Sequence, residues 1–242
     1  MSINSAIFKI GGTILDNSKN LINTIAQLTQ LFEDGIIQKI VLVPGGGLLV
    51  DFVRHLYEKF HFNDDIAHWI AIYAMDYNGK ELKRKFPHLQ INNNHKNAKK
   101  EKRFISVFLP YNYLKEKDEL PHSWDVTSDS IALYLAKTLS MNECFLIKEI
   151  QGIYDYNQNI IKEISTKEFK QLKLEGKLKE MNSTDSELKL KTKPIDPYLL
   201  TLIDRYKIPC IILNGVSPSS DIFNYFTSTN LKEKIFTKLN SV

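Results

Sequence analysis

Two short apolar runs near the start of the chain each end in a cluster of glycines. The first reads Phe8-Lys9-Ile10-Gly11-Gly12 and the second reads Val43-Pro44-Gly45-Gly46-Gly47. Apolar runs that stop at glycine are typical of buried strands that end in a tight turn. Between them, residues 17–34 carry leucine and isoleucine at helical spacing. A strand, a helix and a second strand in this order form a βαβ unit, which predicts a parallel sheet.

The rest of the chain repeats this alternation. The patterns predict further helices at 48–60, 64–86, 127–139 and 197–206, strands at 104–109, 144–148 and 209–213, an exposed loop or hairpin at 90–103, and a helix followed by a flexible loop in the charge-dense segment 165–193. We therefore expect an α/β fold, a three-layer αβα sandwich around a mainly parallel sheet. A single domain over residues 1–242 is the simplest organisation for this length.

Composition restricts the class of protein. The 242 residues are 43% hydrophobic and 25% charged, which suits one sizeable core. Part of the net charge of +4 lies in a basic cluster at 96–103 without interleaved aromatic residues, so no nucleic-acid partner is expected. Cys144 and Cys210 stand alone in apolar runs, which indicates reduced thiols. Without a basic leader or an apolar run of about 18 residues, we expect a cytoplasmic protein with no membrane span.

The glycine turns also carry a chemical signal. Turns without side chains expose consecutive backbone N–H groups, which bind anions beside a helix N-terminus. Taken singly, each cluster is more often an ordinary strand-to-helix turn. Their repetition after the first two strands favours a phosphate site, because open α/β sheets bind ligands beyond the carboxyl ends of their strands. P-loop, Rossmann and protein-kinase sites are excluded, because the chain lacks their GxxxxGK[ST], GxGxxG and HRD/DFG motifs.

The remaining pattern resembles the amino acid kinase family. The motifs Lys9-Ile10-Gly11-Gly12, Gly45-Gly46-Gly47 and Thr127-Ser128-Asp129-Ser130 stand in the family's order. Two segments, 67–76 and 120–129, are similar to the subgroup that contains the aminomethylfuran-methyl phosphate kinases of methanofuran biosynthesis. The resemblance implies an ATP-dependent kinase that transfers the γ-phosphoryl group to a small phosphomonoester, an aminomethyl-furanmethyl phosphate, giving a diphosphate.

The same resemblance implies a role for each matching residue. Lys9 binds the β- and γ-phosphates, and Asp129 holds Lys9 and a second lysine in place. Four lysines compete for that second position: Lys148, Lys189, Lys191 and Lys193. The nucleotide-binding set is Lys9, Gly11, Gly12, Lys148, Gly152, Tyr154, Asn214 and Gly215, and the acceptor-binding set is Gly45, Gly46, Gly47, Arg54 and Asp125. Residues 1–140 correspond to an acceptor-binding lobe and residues 141–242 to a nucleotide-binding lobe.

Several side chains outside the motifs allow two interpretations. Arg54 suits the acceptor's phosphate, and Asp51, Asp76 or Asp125 suits its ammonium, yet each is equally a surface charge. His68 is interpreted as a core or interface histidine. Mg²⁺ is expected with ATP, bound mainly by phosphate oxygens and water, and no protein ligand is assigned to it. The wide apolar face of helix 64–86 predicts a homo-oligomer.

Two features of the sequence leave other functions open. Gln151 stands where the family has an aspartate, and the second lysine is not unique. One alternative is a non-catalytic member of the family that binds ATP or an oxyanion for storage or regulation. Another is a kinase for an amino acid carboxylate or a different small acceptor.

Overall fold

The fold is built around one sheet. A computed structural model describes residues 3–93, 102–179 and 194–242. Within these ranges the strands are β1 (Ile3–Ile10), β2 (Ile37–Pro44), β3 (Gln90–Asn92), β4 (Phe104–Phe108), β5 (Cys144–Lys148), β6 (Glu163–Ser165), β7 (Cys210–Asn214) and β8 (Thr237–Asn240). Their order across the sheet is β3-β4-β2-β1-β5-β7-β8-β6. Every neighbouring pair is parallel except β7 and β8.

Helices connect most of the strands. They are α1 (Gly12–Asp16), α2 (Ser18–Glu33), α3 (Gly47–Phe60), α4 (Asp64–Lys85), α5 (Pro110–Lys117), α6 (Ser128–Thr138), α7 (Thr166–Leu174), α8 (Pro197–Tyr206) and α9 (Asp221–Thr227). Polar side chains fix several starts: the side chains of Asn17 and Asn63 accept the first backbone N–H groups of α2 and α4. Ser165 and Glu168 form a reciprocal capping box at α7.

The core lies on both faces of the sheet. On one face, strand residues such as Val41 and Leu146 pack with α4, α5, α6 and α8. On the other face, Phe8 and Phe145 stack at 4.9 Å and pack with α1, α2 and α9. Burying strands on both faces explains why β1, β2 and β5 have continuous apolar runs. The expected three-layer αβα sandwich with a mainly parallel sheet is confirmed.

The structure corrects the expectation for residues 90–103. Gln90–Asn92 is not part of a loop or hairpin but a parallel edge strand, in which Ile91 pairs with Val107. A strand of three residues is too short for an alternating pattern to be recognised. Residues 94–101, which hold Lys96, Lys99 and Lys100 of the basic cluster, lie outside the described residues. In 165–193, helix α7 confirms the helical part, and 180–193 lie outside the described residues.

In the described ranges, no helix combines the length and apolar character needed to span a bilayer.

Candidate active site

Four strands end side by side at the carboxyl edge of the sheet. Parallel pairing sets Ile10 level with Pro44 on one side and with Ile147 on the other. Three glycines after these strands continue the ladder. Gly11 N–H donates to the Ile147 carbonyl at 2.8 Å, Gly45 N–H to the Ile10 carbonyl at 2.8 Å and Gly215 N–H to the Lys148 carbonyl at 2.9 Å. The turns predicted from the glycine clusters are therefore adjacent in space.

The two glycine turns touch each other. A Cβ atom added to Gly12 would lie 2.8 Å from Gly47 Cα, a distance at which backbone atoms clash. Gly47 itself has a φ of +56°, a conformation that side chains disfavour. The Asn78 side chain donates to the carbonyls of Gly45 and Gly46 at 2.8 and 2.9 Å, which ties α4 to the second turn. Glycine is thus required at this contact for steric reasons.

Only part of the predicted N–H cradle remains open to a ligand. The N–H groups of Gly11 and Gly45 are engaged in the sheet, and Asp16 Oδ2 accepts the Leu48 N–H at 3.0 Å. The first N–H groups of a helix have no acceptor within that helix. Gly12 begins α1 and Gly47 begins α3, so their N–H groups stay available for an anion.

Beside the turns lies a buried cluster of one carboxylate and two ammonium groups. Lys9 Nζ lies 2.8 Å from Asp129 Oδ1, and Lys148 Nζ lies 2.7 Å from Asp129 Oδ2. Lys9 is on β1, Lys148 ends the neighbouring β5, and Asp129 lies in the first turn of α6. Of the four candidate second lysines, Lys148 is the one described here, and Lys189, Lys191 and Lys193 lie outside the described residues.

Charges within the cluster control its protonation. Burial alone raises the pKa of Asp129, but the attraction of Lys148 and Lys9 is stronger and holds that pKa well below its usual range. Burial lowers the pKa of Lys148, and the carboxylate of Asp129 offsets part of that effect. An ionised Asp129 between two ammonium groups leaves a net positive charge at the strand ends. Such a charge attracts phosphate oxygens.

Asp196 positions this cluster and was missed in the sequence. Its carboxylate caps the N-terminus of α8 and accepts five hydrogen bonds in all. The donors are Thr127 N (3.0 Å), Thr127 Oγ1 (2.8 Å), Ser130 N (3.0 Å), Ser130 Oγ (2.6 Å) and Leu199 N (2.8 Å). Burial and the nearby Asp129 raise the pKa of Asp196, while five donors favour the ionised form. One side chain therefore fixes the starts of both α6 and α8, and with them Asp129.

A cleft that is partly open to solvent lies next to the second glycine turn. Gly46, Val50 and Arg54 line it from successive turns of α3, opposite a wall formed by α4. Trp124 and Thr127 from the segment before α6, and Ser128 at the start of α6, close the remaining side. The Arg54 guanidinium lies 4.7 Å from the centre of the Trp124 ring, a cation–π contact.

The acidic residues considered for an acceptor lie elsewhere. Asp125 is not among the residues that line the cleft; its backbone carbonyl accepts the Tyr198 N–H. Asp76 is buried, and its side chain accepts the Tyr111 N–H at 3.0 Å at the start of α5, so it is an internal cap. Asp64 lines the cleft instead and accepts a hydrogen bond from Tyr57 Oη at 2.5 Å.

The residues assigned to the nucleotide lie after β5 and β7. Asn214 Oδ1 accepts the Val216 N–H, and its amide donates to Asp221. Tyr154 Oη donates to Gln151 Oε1 at 3.1 Å, so the residue that departs from the family pattern is part of this region. Gly152 lies against Thr237, where a Cβ would come within 2.5 Å of the hydroxyl. These residues share the sheet edge with Lys148 and lie apart from the residues of the cleft.

The described ranges contain no group of three or more His, Cys, Asp or Glu residues arranged to hold a metal ion. The carboxylate of Asp129 is already shared by Lys9 and Lys148. This donor set fits a divalent cation that arrives with a ligand's own oxygens.

Known proteins match this fold and sequence. Residues 4–214 match the model of the amino acid kinase family. The chain is 32% identical over 151 residues to the (5-(aminomethyl)furan-3-yl)methyl phosphate kinase of Methanocaldococcus jannaschii, covering 62% of this chain and 68% of that protein.

Solved structures agree on the fold. UMP kinase from Ureaplasma parvum superposes with a TM-score of 0.71 at 18% identity, over 99% of this chain and 97% of that one. Uridylate kinase from Archaeoglobus fulgidus gives 0.63 at 14% identity, over 98% and 100%. Aspartate kinase from Synechocystis gives 0.64 at 14% identity, over 98% of this chain and 40% of that one. The chain is therefore a kinase of the amino acid kinase family.

Proposed function

We propose that this kinase transfers the γ-phosphoryl group of ATP to a small phosphomonoester that carries an aminomethyl group on a ring, and that the product is a diphosphate. The observation that carries the proposal is the Lys9–Asp129–Lys148 cluster, together with a neighbouring cleft that Trp124 lines. The 32% identical relative is named for an acceptor of this class.

In the reaction, an oxygen of the acceptor's phosphate attacks the γ-phosphorus of ATP. The bond between that phosphorus and the β–γ bridging oxygen breaks, and ADP leaves with the oxygen. Phosphoryl transfer asks the protein chiefly for positioning and for positive charge at the crowded oxygens. Lys9 and Lys148 supply this charge from adjacent strand ends, and Asp129 fixes their separation. An anionic phosphate oxygen is already a nucleophile, so no general base is needed.

The family's use of ATP also implies Mg²⁺, which neutralises phosphate charge when bound. Because Asp129 is shared by two lysines, we assign the metal ligands to phosphate oxygens and water. The protein's own contribution is then electrostatic and steric. Gly12 offers an N–H group on the nucleotide side, with Gly152, Tyr154, Asn214 and Gly215 around the base and ribose.

On the acceptor side, we place the phosphate at the start of α3, where Gly47 N–H and the helix dipole favour an anion. Arg54, held over Trp124, provides a cation toward the same cleft. We leave Asp125 out of this assignment because it does not line the cleft. Residues 1–140 would then bind the acceptor, and residues 141–242 the nucleotide.

A second copy of the chain is the partner we propose for α4. Ile66, Ile70, Tyr73 and Tyr77 recur on one side of this helix, and between 44% and 54% of each is exposed. The spacing of four, three and four residues gives a continuous apolar stripe. Covering such a stripe with its own copy in a homo-oligomer would remove it from water.

The decisive experiment incubates the protein with MgATP and a panel of phosphomonoesters and follows products by ³¹P NMR. We expect the doublets of a new diphosphate ester, with ADP, from acceptors bearing an aminomethyl group. The Lys9→Met variant should lose this product while keeping its fold by circular dichroism. ATP binding without transfer to any acceptor would favour a non-catalytic member of the family. Faster transfer to an amino acid carboxylate than to any phosphomonoester would favour a kinase for that other acceptor.

A further inference from the structure

Two separate segments of the sequence meet at the cleft. Residues 67–76 belong to α4, and residues 120–129 lead into α6. In the cleft they form facing walls, with His68, Ile72 and Met75 on one side and Trp124 and Ser128 on the other. The two segments also meet through two histidines: His68 and His122 stack with ring centres 4.3 Å apart and planes at 22°.

His122 is held as an imidazolium by two carboxylates. Its Nδ1 lies 2.5 Å from Asp65 Oδ1, and its Nε2 lies 2.7 Å from Asp118 Oδ1. A ring nitrogen can hydrogen-bond a carboxylate only as an N–H donor, so two such contacts require both nitrogens to be protonated. Although partial burial lowers it, these hydrogen bonds raise the pKa of His122 above its usual value. The two carboxylate contacts therefore favour the protonated ring.

His68 is the opposite case. Only 8% of it is exposed, it lines the cleft, and among the described residues it has ring contacts but no hydrogen-bond partner. Burial and the imidazolium beneath it lower the pKa of His68 to about 4, against a smaller opposing effect of Asp118 and Asp65 and a reinforcing one of Lys115. A neutral imidazole has one ring nitrogen free to accept a hydrogen bond.

His68 lies toward the far end of the cleft from the phosphate end. Asn78 contacts the second glycine turn, and His68 precedes it by ten residues, which is about 15 Å along an α-helix. Between them α4 presents Met75, Ile72 and Ala71, an apolar stretch that suits a ring. A ligand with its phosphate at the glycine turn would bring its other end toward His68.

We propose that His68 determines acceptor specificity by accepting a hydrogen bond from the acceptor's ammonium group, and that His122, clamped by Asp65 and Asp118, is a positioning residue that keeps His68 in the accepting form. The inference rests on the proposed function for the identity of the site. A buried ammonium needs a hydrogen-bond partner, and among the buried residues that α4 contributes to the cleft only His68 provides one. Asp64 also lines the cleft, but it is exposed and already accepts the Tyr57 hydroxyl. The clamp of His122 with two carboxylates carries one net negative charge, which does not repel a cation.

Binding can be measured without turnover. Calorimetry would compare 4-(aminomethyl)benzyl phosphate with 4-ethylbenzyl phosphate, which has a methyl group in place of the amine. We expect the wild type to favour the amine by about ten- to a hundredfold, the range for a hydrogen bond to a charged group. His68→Phe keeps the stacked ring and should remove this preference, whereas His68→Gln, which retains an acceptor oxygen, should keep part of it. The control is His88→Phe, which replaces a surface histidine that is hydrogen-bonded to Thr29.

The role of His122 has a separate measurement. Histidine NMR should show His68 neutral from pH 5 to 8 in the wild type. In His122→Gln the cation is lost while Asp65 and Asp118 stay, so His68 should titrate at higher pH, and affinity for the amine should then fall between pH 7 and 5. A simple packing role would leave the titration and the pH profile unchanged.

The possible outcomes are distinguishable. Equal binding of the two ligands by the wild type, an equal loss of both in His68→Phe, or a His68 that titrates above pH 6 would each overturn the inference. A preference for the amine that vanishes in His68→Phe supports it even where no diphosphate forms, a result that would defeat the proposed function alone. Diphosphate formation by a wild type that shows no preference for the amine would leave the kinase assignment intact and contradict the proposed role of His68.

Discussion

Replacing Asp196 with alanine should destabilise the protein far more than loss of an ordinary helix cap. The substitution removes the acceptor of five hydrogen bonds and leaves the backbone N–H groups of Thr127, Ser130 and Leu199 without it. A cap contributes about 1 kcal/mol, and each buried N–H left unpaired costs about 1–3 kcal/mol. Because water can enter the space and satisfy some donors, we expect a loss of about 3–5 kcal/mol.

The assay is urea unfolding followed by circular dichroism, with Asn63→Ala as the matched control. Asn63 caps α4 through one exposed hydrogen bond to Asp65 N–H, so its loss should cost about 1 kcal/mol. Because a domain has only about 5–15 kcal/mol of total stability, the Asp196 variant should unfold at a clearly lower urea concentration. Equal losses in the two variants would refute the view that Asp196 ties α6 to α8.

Three further predictions concern charge, assembly and the glycine contact. The pKa of Asp129 is lower in the folded protein than in the unfolded chain, where it is about 3.9. The stabilisation that results is complete above pH 4 and is lost as the pH falls through the folded pKa. Stability measured against pH should therefore fall more steeply below pH 4 in the wild type than in Asp129→Asn. Ile70→Glu should convert the homo-oligomer that we propose to monomer in light scattering, whereas Leu231→Glu, at another exposed site, should not. Gly12→Ala drives a methyl group against Gly47 and should cost about 1–3 kcal/mol in thermal unfolding, with reduced turnover; an unchanged melting temperature would show that the turns are not in contact.

The longer elements were predictable because their periodicity is strong. The predicted helix 64–86 and strand 144–148 correspond to Asp64–Lys85 and Cys144–Lys148. A stripe of buried residues over three or more turns, or a run buried on both faces, leaves a clear trace in sequence. The strands Gln90–Asn92 and Glu163–Ser165 have three residues each and leave none. Their pairing is decided by tertiary contacts, which no local pattern shows.

The site residues also divide into those that the sequence predicts and those that it does not. Lys9 and Asp129 follow from motifs, and the ion pair between them is a contact that the motifs imply. Asp196 directly precedes Pro197 at a helix start, a signal of a cap. That signal does not show its other partners, Thr127 and Ser130, which lie more than sixty residues earlier.

The prediction for Asp76 was wrong for a related reason. Asp76 was interpreted as a partner for the acceptor's ammonium or as a surface charge, but its side chain is turned inward and caps α5. Whether a carboxylate on a helix faces solvent, a ligand or another helix start depends on the neighbour that packs there. The sequence of one helix does not contain that information.

The central claim is that two ammonium groups bridged by Asp129 drive phosphoryl transfer, and steady-state turnover of Lys148→Met tests it most directly. With MgATP and 4-(aminomethyl)benzyl phosphate, we expect kcat for ADP release to fall about 100- to 1000-fold, as when one preorganised donor to a transition state is removed. Circular dichroism should show an intact fold. A kcat within threefold of the wild type in the folded variant would contradict the account.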